Sequence, residues 1–308
     1  MRVAVTGSSG LIGRELVAEL GRRGHEVTRL VRRQAGGGEA AWDPSEGTIE
    51  AEKLEGHDGV VHLAGVGIGD RRWTDEHKRA VRNSRVHGTT LLARTLAALA
   101  HPPNVLVSGS AVGYYGYESG DAVMTEASPR GRGFLAEVVE AWEEAAAPAA
   151  DAGIRIVNLR SGVVLTAKGG ALKKQLLPFK LGVGGRLGTG KQWLSWITLQ
   201  DEVAVIMHLL TTPDVHGPVN VTSPAPVTNG EFTAMLARAL KRPAFMPVPN
   251  LALYALFGKQ MTEEMLLGGQ RVLPAVLEGS GFTFSHPRLD EALRAMLRPP
   301  GRDGHSVP

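Results

Sequence analysis

The chain has 308 residues, 43% of them hydrophobic, enough for one large or two smaller domains with a full apolar core. Its 34 Lys and Arg against 31 Asp and Glu leave a formal charge of +3 with no dense basic stripe, so nucleic acid is not an expected partner. Cysteine is absent, which excludes disulfides, thiolate zinc sites and cysteine nucleophiles; with no signal-peptide pattern and no apolar run of spanning length, a soluble cytoplasmic protein without a membrane partner is expected.

Val3, Ala4 and Val5 form a short apolar run suited to a buried parallel strand. Gly7, Gly10 and Gly13 follow at intervals of three. Leu11, Leu16, Val17 and Leu20 then recur at helical spacing, which opens a helix at about Ser9. Strand, glycine turn and helix N-terminus in that order make a dinucleotide site. Glycines let the backbone approach a pyrophosphate, and free N–H groups and the helix dipole favour its charge. The expected contacts are Gly7, Ser9, Gly10, Leu11, Ile12 and Gly13. The spacing is G-x-x-G-x-x-G rather than G-x-G-x-x-G, so the place of the turn directly after an N-terminal strand carries the reading.

His25 to Val31 (HEVTRLV) reads as the second strand and runs into Arg32 and Arg33. In a dinucleotide fold this strand end meets the adenosine ribose. An acidic residue there binds the 2′-hydroxyl of NAD, whereas arginine accommodates the 2′-phosphate of NADP. No Asp or Glu stands at this strand end, so NADP(H) is the expected cofactor, with Val31 and Arg32 as contacts. Arg33 reads equally as a ligand or as a solvated loop residue. Gln34 to Glu39 is a glycine-rich loop, and Ala40 to Glu50 a small hairpin turning at Pro44 to Gly47. Asp58 to Gly65 (DGVVHLAG) is another buried strand, and its small final residues let the chain pass close under a cofactor. His62 within it reads as a hydrogen-bonded core residue.

Trp73 to Leu99 is a long helical pattern with Val81, Arg85, Gly88, Leu92, Leu96 and Leu99 near one face. Arg85 is the odd member, suited either to cofactor phosphate or ribose or to a carboxylate partner. Val105 to Ser108 is the next strand and leads into GSAVGYYGYESG. Ser108 and Ser110 put hydroxyls at the carboxyl edge of the sheet, where ligands bind in doubly wound folds. Tyr114, Tyr115 and Tyr117 are three of the four tyrosines in the chain, a cluster suited to a substrate wall or to loop packing. Arg130 to Ala152 carries a helix, and Ile154 to Arg160 (IRIVNLR) a further strand followed by SGVVL. Strands and helices alternating to about residue 165 predict an α/β fold built on a doubly wound parallel sheet.

From Thr166 to about 297 the pattern predicts a substrate or cap region interleaved with the core. GGALKKQLLPFKLGVGGRLGTGKQWLSWI reads as a mobile segment over a cleft. Its glycines follow no strand and precede no GK[ST] triplet, which rules out a P-loop. Asp201 reads as the N-cap of an apolar run. Pro218 to Val221 is a short strand, Asn229 to Leu240 a helix and Pro243 to Pro249 an extended stretch. Leu251 to Met265 and Pro287 to Leu297 read as helices of a small C-terminal α+β cap spanning about 245–297, and Arg298 to Pro308 as a disordered tail.

TGSSGLIG, HLAG, SGSAVGYYG and RSGVVL together resemble the extended short-chain dehydrogenase/reductases, the nucleotide-sugar epimerase and dehydratase relatives. RRWTDEHKRAVRNSRVHGT, WEEAA, LLPFKLGVGG, SWI and EEMLLGGQRVLP…GFTF are similar to one atypical branch, the epimerase-family or nucleoside-diphosphate-sugar epimerase-like proteins. Some members of that branch carry the label of cell-division inhibitor. The resemblance covers residues 1 to about 297. It implies NADP(H) binding in the N-terminal domain and by position brings Leu63, Ala64, Arg85 and Val163 to the cofactor; Gly65 and Arg160 are expected there as well. In the superfamily the helices at 73–99 and 130–152 are the usual dimer faces, so a homodimer is one expectation.

The superfamily moves protons with a Tyr-x-x-x-Lys pair on the helix after the serine strand. That helix here reads GFLAEVVEAW, which puts Phe134 at the tyrosine position and Val138 at the lysine position. Neither side chain can give or hold a proton. The remaining candidates for catalysis are Ser108, Ser110 and Tyr114, with Tyr115 the alternative phenol and Lys168, Lys173 or Lys174 the lysines that could fold in beside it, and no arrangement resembles a triad or a metal site. Two functions follow as expectations. One is an NADP(H)-dependent oxidoreductase or epimerase-like enzyme for a small or nucleotide-linked substrate. The other is a catalytically silent NADP(H)-binding regulatory protein, linked to cell division in the branch's labels.

Overall fold

The computed structural model describes residues 1–298. β1 (Arg2–Thr6) runs through the interior, and Val3, Ala4 and Val5 have no exposed surface. α1 (Leu11–Arg22) begins after an extended Gly10 and buries Gly13, Leu16 and Leu20. β2 (Glu26–Val31) and β3 (Glu39–Asp43) follow, and β4 (Thr48–Ile49) returns antiparallel on β3. The hairpin expected at 40–50 is present, and its first strand also extends the sheet by pairing parallel with β2. β5 (Gly59–His62) is wholly buried. α2 (Asp75–Ala97), capped by the Thr74 hydroxyl, turns Val81, Gly88, Leu92 and Leu96 inward.

β6 (Val105–Ala111) opens into a single 3-10 turn over Val112–Tyr115. After the short β7 (Val123–Met124), the helix expected over 130–152 is shorter and split into α3 (Phe134–Glu144) and α4 (Ala147–Asp151). Pro148 stands at the start of α4, where its missing N–H is tolerated but cannot continue the α3 ladder. β8 (Arg155–Ser161) and β9 (Val163–Leu165) follow. The glycine-rich stretch read as a mobile strap in fact holds α5 (Gly170–Lys180), which buries Leu172, Leu176 and Phe179. β10 (Trp193–Leu194) leads to β11 (Trp196–Thr198), which lies parallel to β9.

α6 (Leu199–Thr211) is capped by Thr198, whose hydroxyl accepts from the Asp201 amide at 3.0 Å. Asp201 is therefore not the cap. It lies inside the first turn, and its carboxylate accepts the Ser285 and His286 amides at 2.8 and 3.0 Å. β12 (Gly217–Val221), β13 (Val227–Thr228) and α7 (Asn229–Leu240) come next, α7 with a full Thr228/Glu231 capping box. The helix expected over 251–265 is broken: α8 (Asn250–Phe257) stops at Gly258, whose φ of +82° leaves the helical region, and α9 (Lys259–Met261) runs into a π-helical turn over Thr262–Leu267. β14 (Arg271–Val272) pairs with β7, and α10 (Ala275–Gly279) and α11 (Leu289–Leu297) complete the described chain. The tail reading of 298–308 lies, beyond Arg298, outside the described residues.

The main sheet has the order β12-β8-β6-β5-β1-β2-β3-β4, parallel throughout except for β4. α1 and α6 cover one face and α2 and α4 the other. A third apolar cluster joins α5, α7 and α11 around Trp196 and Phe232. The outermost strand, β12, and its flanking α6 come from beyond residue 166, so the cap region leaves the sheet after β8 and re-enters it. The strand order reverses its direction of growth between β1 and β5. That switch point opens a crevice at the carboxyl ends of the strands. No described helix is long and apolar enough to cross a membrane.

Candidate functional site

The crevice is floored by the ends of β1 and β5, where Thr6 stands level with His62. The Thr6 hydroxyl accepts the Leu63 and Ala64 amides at 3.1 and 3.2 Å and is hydrogen-bonded to His62 Nδ1 at 2.7 Å. One side chain thus ties the loop after β5 to the loop after β1. His62 is fully buried, and burial, with the charge of Arg85, pushes its imidazole down to about 4. It is a neutral core residue.

Gly7 turns the chain at φ +64°, and a Cβ on it would sit 2.7 Å from the Leu63 carbonyl carbon. A Cβ on Gly13 would overlap the Gly7 carbonyl oxygen. Glycine at these two positions lets α1 abut the turn. Ser9 and Gly10 are exposed, no side chain caps α1, and its first turn holds no carboxylate. The opening amides of Leu11, Ile12 and Gly13 are left for an anion. The backbone therefore fits a dinucleotide pyrophosphate.

Beside this turn, Arg85 donates to the Val66 and Val81 carbonyls at 3.0 and 3.1 Å and lies 4.9 Å over the Trp142 ring. A Cβ on Gly65 would lie 3.5 Å from its guanidinium. Burial pulls Arg85 down to about 10, still charged at neutral pH, and no described carboxylate pairs with it. The carboxylate alternative is thereby removed. At the end of β2, Arg32 is exposed and faces a hollow of about 340 Å³ shared with Val31, Trp42 and Asp43. Arg33 resolves differently. It grips both oxygens of Glu39 at 2.7 and 2.8 Å, and this bond holds the Glu39 carboxyl at about 2.

The edge of β6 carries a second polar cluster. Ser110 donates to Glu143 Oε1 at 2.6 Å, and Arg160 grips both Glu143 oxygens at 2.8 Å. Arg160 also donates to the Tyr115 hydroxyl at 3.1 Å, which donates to Asn220 Oδ1 at 2.6 Å. Burial raises the Tyr115 phenol above its ordinary value. The half-buried Tyr114 ring lies 3.5 Å from the Arg160 guanidinium. Arg160, expected at the cofactor, is 3% exposed and engaged inside the protein. Ser108 has no exposed surface, which takes its hydroxyl out of reach of a substrate. Val163 starts β9, and its amide bonds the Ser195 carbonyl at 2.8 Å. Among the described residues no group of three or more His, Asp or Glu is placed to hold a metal.

Phe134 is the first residue of α3, its ring 5.1 Å from Trp73 edge to face, and Val138 is buried one turn on. The amides of Phe134 and Leu135 donate to the Glu264 carboxylate at 3.3 and 3.1 Å, and Gln260 donates to it at 2.9 Å. The π-helical turn of the C-terminal region therefore caps the helix that bears Phe134 and Val138. Sequence reasoning missed Glu264, Glu143 and Asn220. One signal existed: Gly133 offers no side-chain cap, so α3 needs an acceptor from elsewhere.

Glu202 is a further buried carboxylate. It accepts from Ser161 at 2.7 Å, its other oxygen has no described partner, and burial pushes it up to about 7. An acid raised in this way stabilises the fold fully below its unfolded value near 4.5, and loses that contribution as pH rises through about 7. Glu202→Gln is expected to leave the melting temperature at pH 4.5 nearly unchanged and to raise stability at pH 8 by up to about 3 kcal/mol. Thermal melts across that range read the difference, and a parallel pH dependence in both proteins would refute it.

A family model described as the NAD dependent epimerase/dehydratase family matches residues 3–222, and a domain of unknown function, DUF1731, matches 248–296. The chain is 43% identical over 300 residues to an epimerase family protein of Mycobacterium tuberculosis, covering 97% of this chain and 98% of the relative. It is 40% identical over 300 residues to human epimerase family protein SDR39U1, covering 96% and 100%. A crystal structure of the human protein with NADPH superposes with a TM-score of 0.88 at 38% identity, over 96% of this chain and 99% of that one. A nucleoside-diphosphate sugar epimerase from Corynebacterium glutamicum gives 0.80 at 37% identity, over 96% and 58%.

Proposed function

The chain belongs to the NAD dependent epimerase/dehydratase family, and from that premise we propose that it is an NADP(H)-dependent oxidoreductase or epimerase-like enzyme for a small or nucleotide-linked molecule. The carrying observation is the uncapped α1 N-terminus at the switch point, with the exposed Arg32 guanidinium at the end of β2. The human relative crystallised with NADPH supports the same reading. Gly7, Ser9, Gly10 and the Leu11–Gly13 amides would hold the pyrophosphate, and Val31 and Arg32 the adenosine end. Leu63, Ala64 and Gly65 would pass beneath the cofactor with Arg85 behind them. When bound, the cofactor supplies a site for hydride transfer.

The chain's own groups supply the rest. Tyr114 is the phenol offered to a substrate oxygen, and Arg160 sets a positive charge against its ring. Ser110 is held by Glu143, and its hydroxyl reaches a substrate only by leaving that bond. Calorimetry tests the cofactor. NADPH is expected to bind more tightly than NADH, and Arg32→Glu to weaken NADPH by roughly tenfold to a hundredfold with little change for NADH. Absence of binding by either nucleotide sinks the proposal.

The second reading, an NADP(H)-binding regulatory protein without turnover, is favoured by one feature: in the best sequence register Phe134 and Val138, both on α3, align with the superfamily's tyrosine and lysine, and neither carries an ionisable group. Turnover against a metabolite panel separates the two. The enzyme shows hydride transfer that Tyr114→Phe lowers by about a hundredfold or more. The regulator binds NADPH tightly, transfers no hydride, and captures a protein partner only when NADPH is present.

A further inference from the structure

Nine large apolar side chains stand exposed among the described residues, and seven of them come from two adjoining segments. Leu177, Leu181 and Val183 lie on the outer side of α5 and just after it; Phe245 and Met246 lie between α7 and α8, and Leu251 and Leu256 on α8 itself. The segments run side by side. The Val248 amide donates to the Arg186 carbonyl at 2.8 Å and the Gly188 amide to the Val248 carbonyl at 3.0 Å, while a Cβ on Gly182 would lie 3.8 Å from Pro243. Phe245 is 82% exposed and Leu181 68%, so neither side chain is packed against the protein. The stripe α5 buries is a different one, Leu172, Leu176 and Phe179.

Charge is segregated around these side chains. Residues 152–200 and 232–262 contain no Asp or Glu. Lys173, Lys180, Arg186, Lys241 and Arg242 are exposed within them, and none forms an ion pair with a described carboxylate. A contiguous apolar patch of this kind marks an interaction surface. Its rim selects a negatively charged occupant, and lysine is depleted in protein–protein interfaces but favoured at anionic lipid, where the stem lies along the apolar boundary and the ammonium reaches phosphate.

We propose that this face docks on an anionic membrane surface, with Leu181, Phe245 and Met246 entering the headgroup boundary and the surrounding lysines and arginines contacting lipid phosphate. No spanning helix is required. The even overall charge concealed this from the sequence totals, which suggested no membrane partner.

Sedimentation of the full chain with vesicles tests it. Binding is expected to vesicles of phosphatidylcholine mixed with phosphatidylglycerol, to fall with added salt, and to be near zero with phosphatidylcholine alone. Lys180→Glu and Lys241→Glu are each expected to weaken it about fivefold or more, and Phe245→Ser about tenfold. These residues are exposed, so melting temperatures and NADPH affinity stay unchanged as controls. Failure to sediment with the anionic vesicles overturns the proposal. So does equal binding to both vesicle types, or light scattering that shows a dimer in solution dissolved by Phe245→Ser, which would assign the face to a second copy of the chain.

Discussion

Glu143→Ala is expected to destabilise the fold by about 3–5 kcal/mol, the cost of leaving one partner of a buried ion pair unmatched. The Arg160 side chain is 4% exposed and Glu143 13%. Without the carboxylate, Arg160 keeps only the Tyr115 hydroxyl and the two tyrosine rings, none of which carries negative charge. Ser110 would lose its acceptor in the same stroke. Glu143→Gln, which keeps one acceptor oxygen, should cost less. Glu143→Ala combined with Arg160→Met should recover much of the loss, since the buried charge goes with its partner. Chemical denaturation of the four proteins measures each term. A Glu143→Ala protein within about 1 kcal/mol of the parent would mean that water reaches Arg160 and that the pair is not structural.

Gly13→Ala is expected to lower NADPH affinity by a hundredfold or more, equivalent to about 3 kcal/mol. The added methyl would overlap the Gly7 carbonyl oxygen and stand 2.9 Å from Ser8 Cα, both backbone atoms that cannot swing aside. α1 must move off the turn, and its opening amides move with it. Gly21 lies in the same helix with nothing within 4 Å of its added Cβ. Gly21→Ala is therefore the control, expected to keep NADPH affinity and to stabilise the protein by up to about 1 kcal/mol. Calorimetry beside thermal melts separates the two effects. Undiminished NADPH binding by Gly13→Ala would show that the amides of α1 do not hold the cofactor.

The sheet was legible in the sequence because its strands are short apolar runs that end in glycines or hydroxyl residues. Val3–Val5, the strand before Leu63 and IRIVNLR each announce themselves locally. α7 was legible to the residue because Thr228 and Glu231 form a capping box. Other features depended on distant partners. Nothing near Gly133 reveals that Glu264 caps α3, and nothing near Ser110 reveals that Glu143 accepts its hydrogen bond. Arg33 gave an ambiguous signal because its partner, Glu39, stands on the neighbouring strand rather than beside it in the chain. Glycine content misled the reading of 169–197: α5 sits between glycine clusters, and its leucines pack on α7, an element of later sequence.

The re-entry of the chain into its own sheet also dictates an order of assembly. As the polypeptide leaves the ribosome, β8 emerges with one side unpaired, and its hydrogen-bonding edge finds a mate only when Gly217–Val221 has followed. Between those moments lie more than fifty residues that must stay out of the way. A nascent chain halted before Val221 exposes a strand edge ready to pair with a stranger. Early termination in this gene should therefore yield insoluble fragments rather than a working nucleotide-binding half.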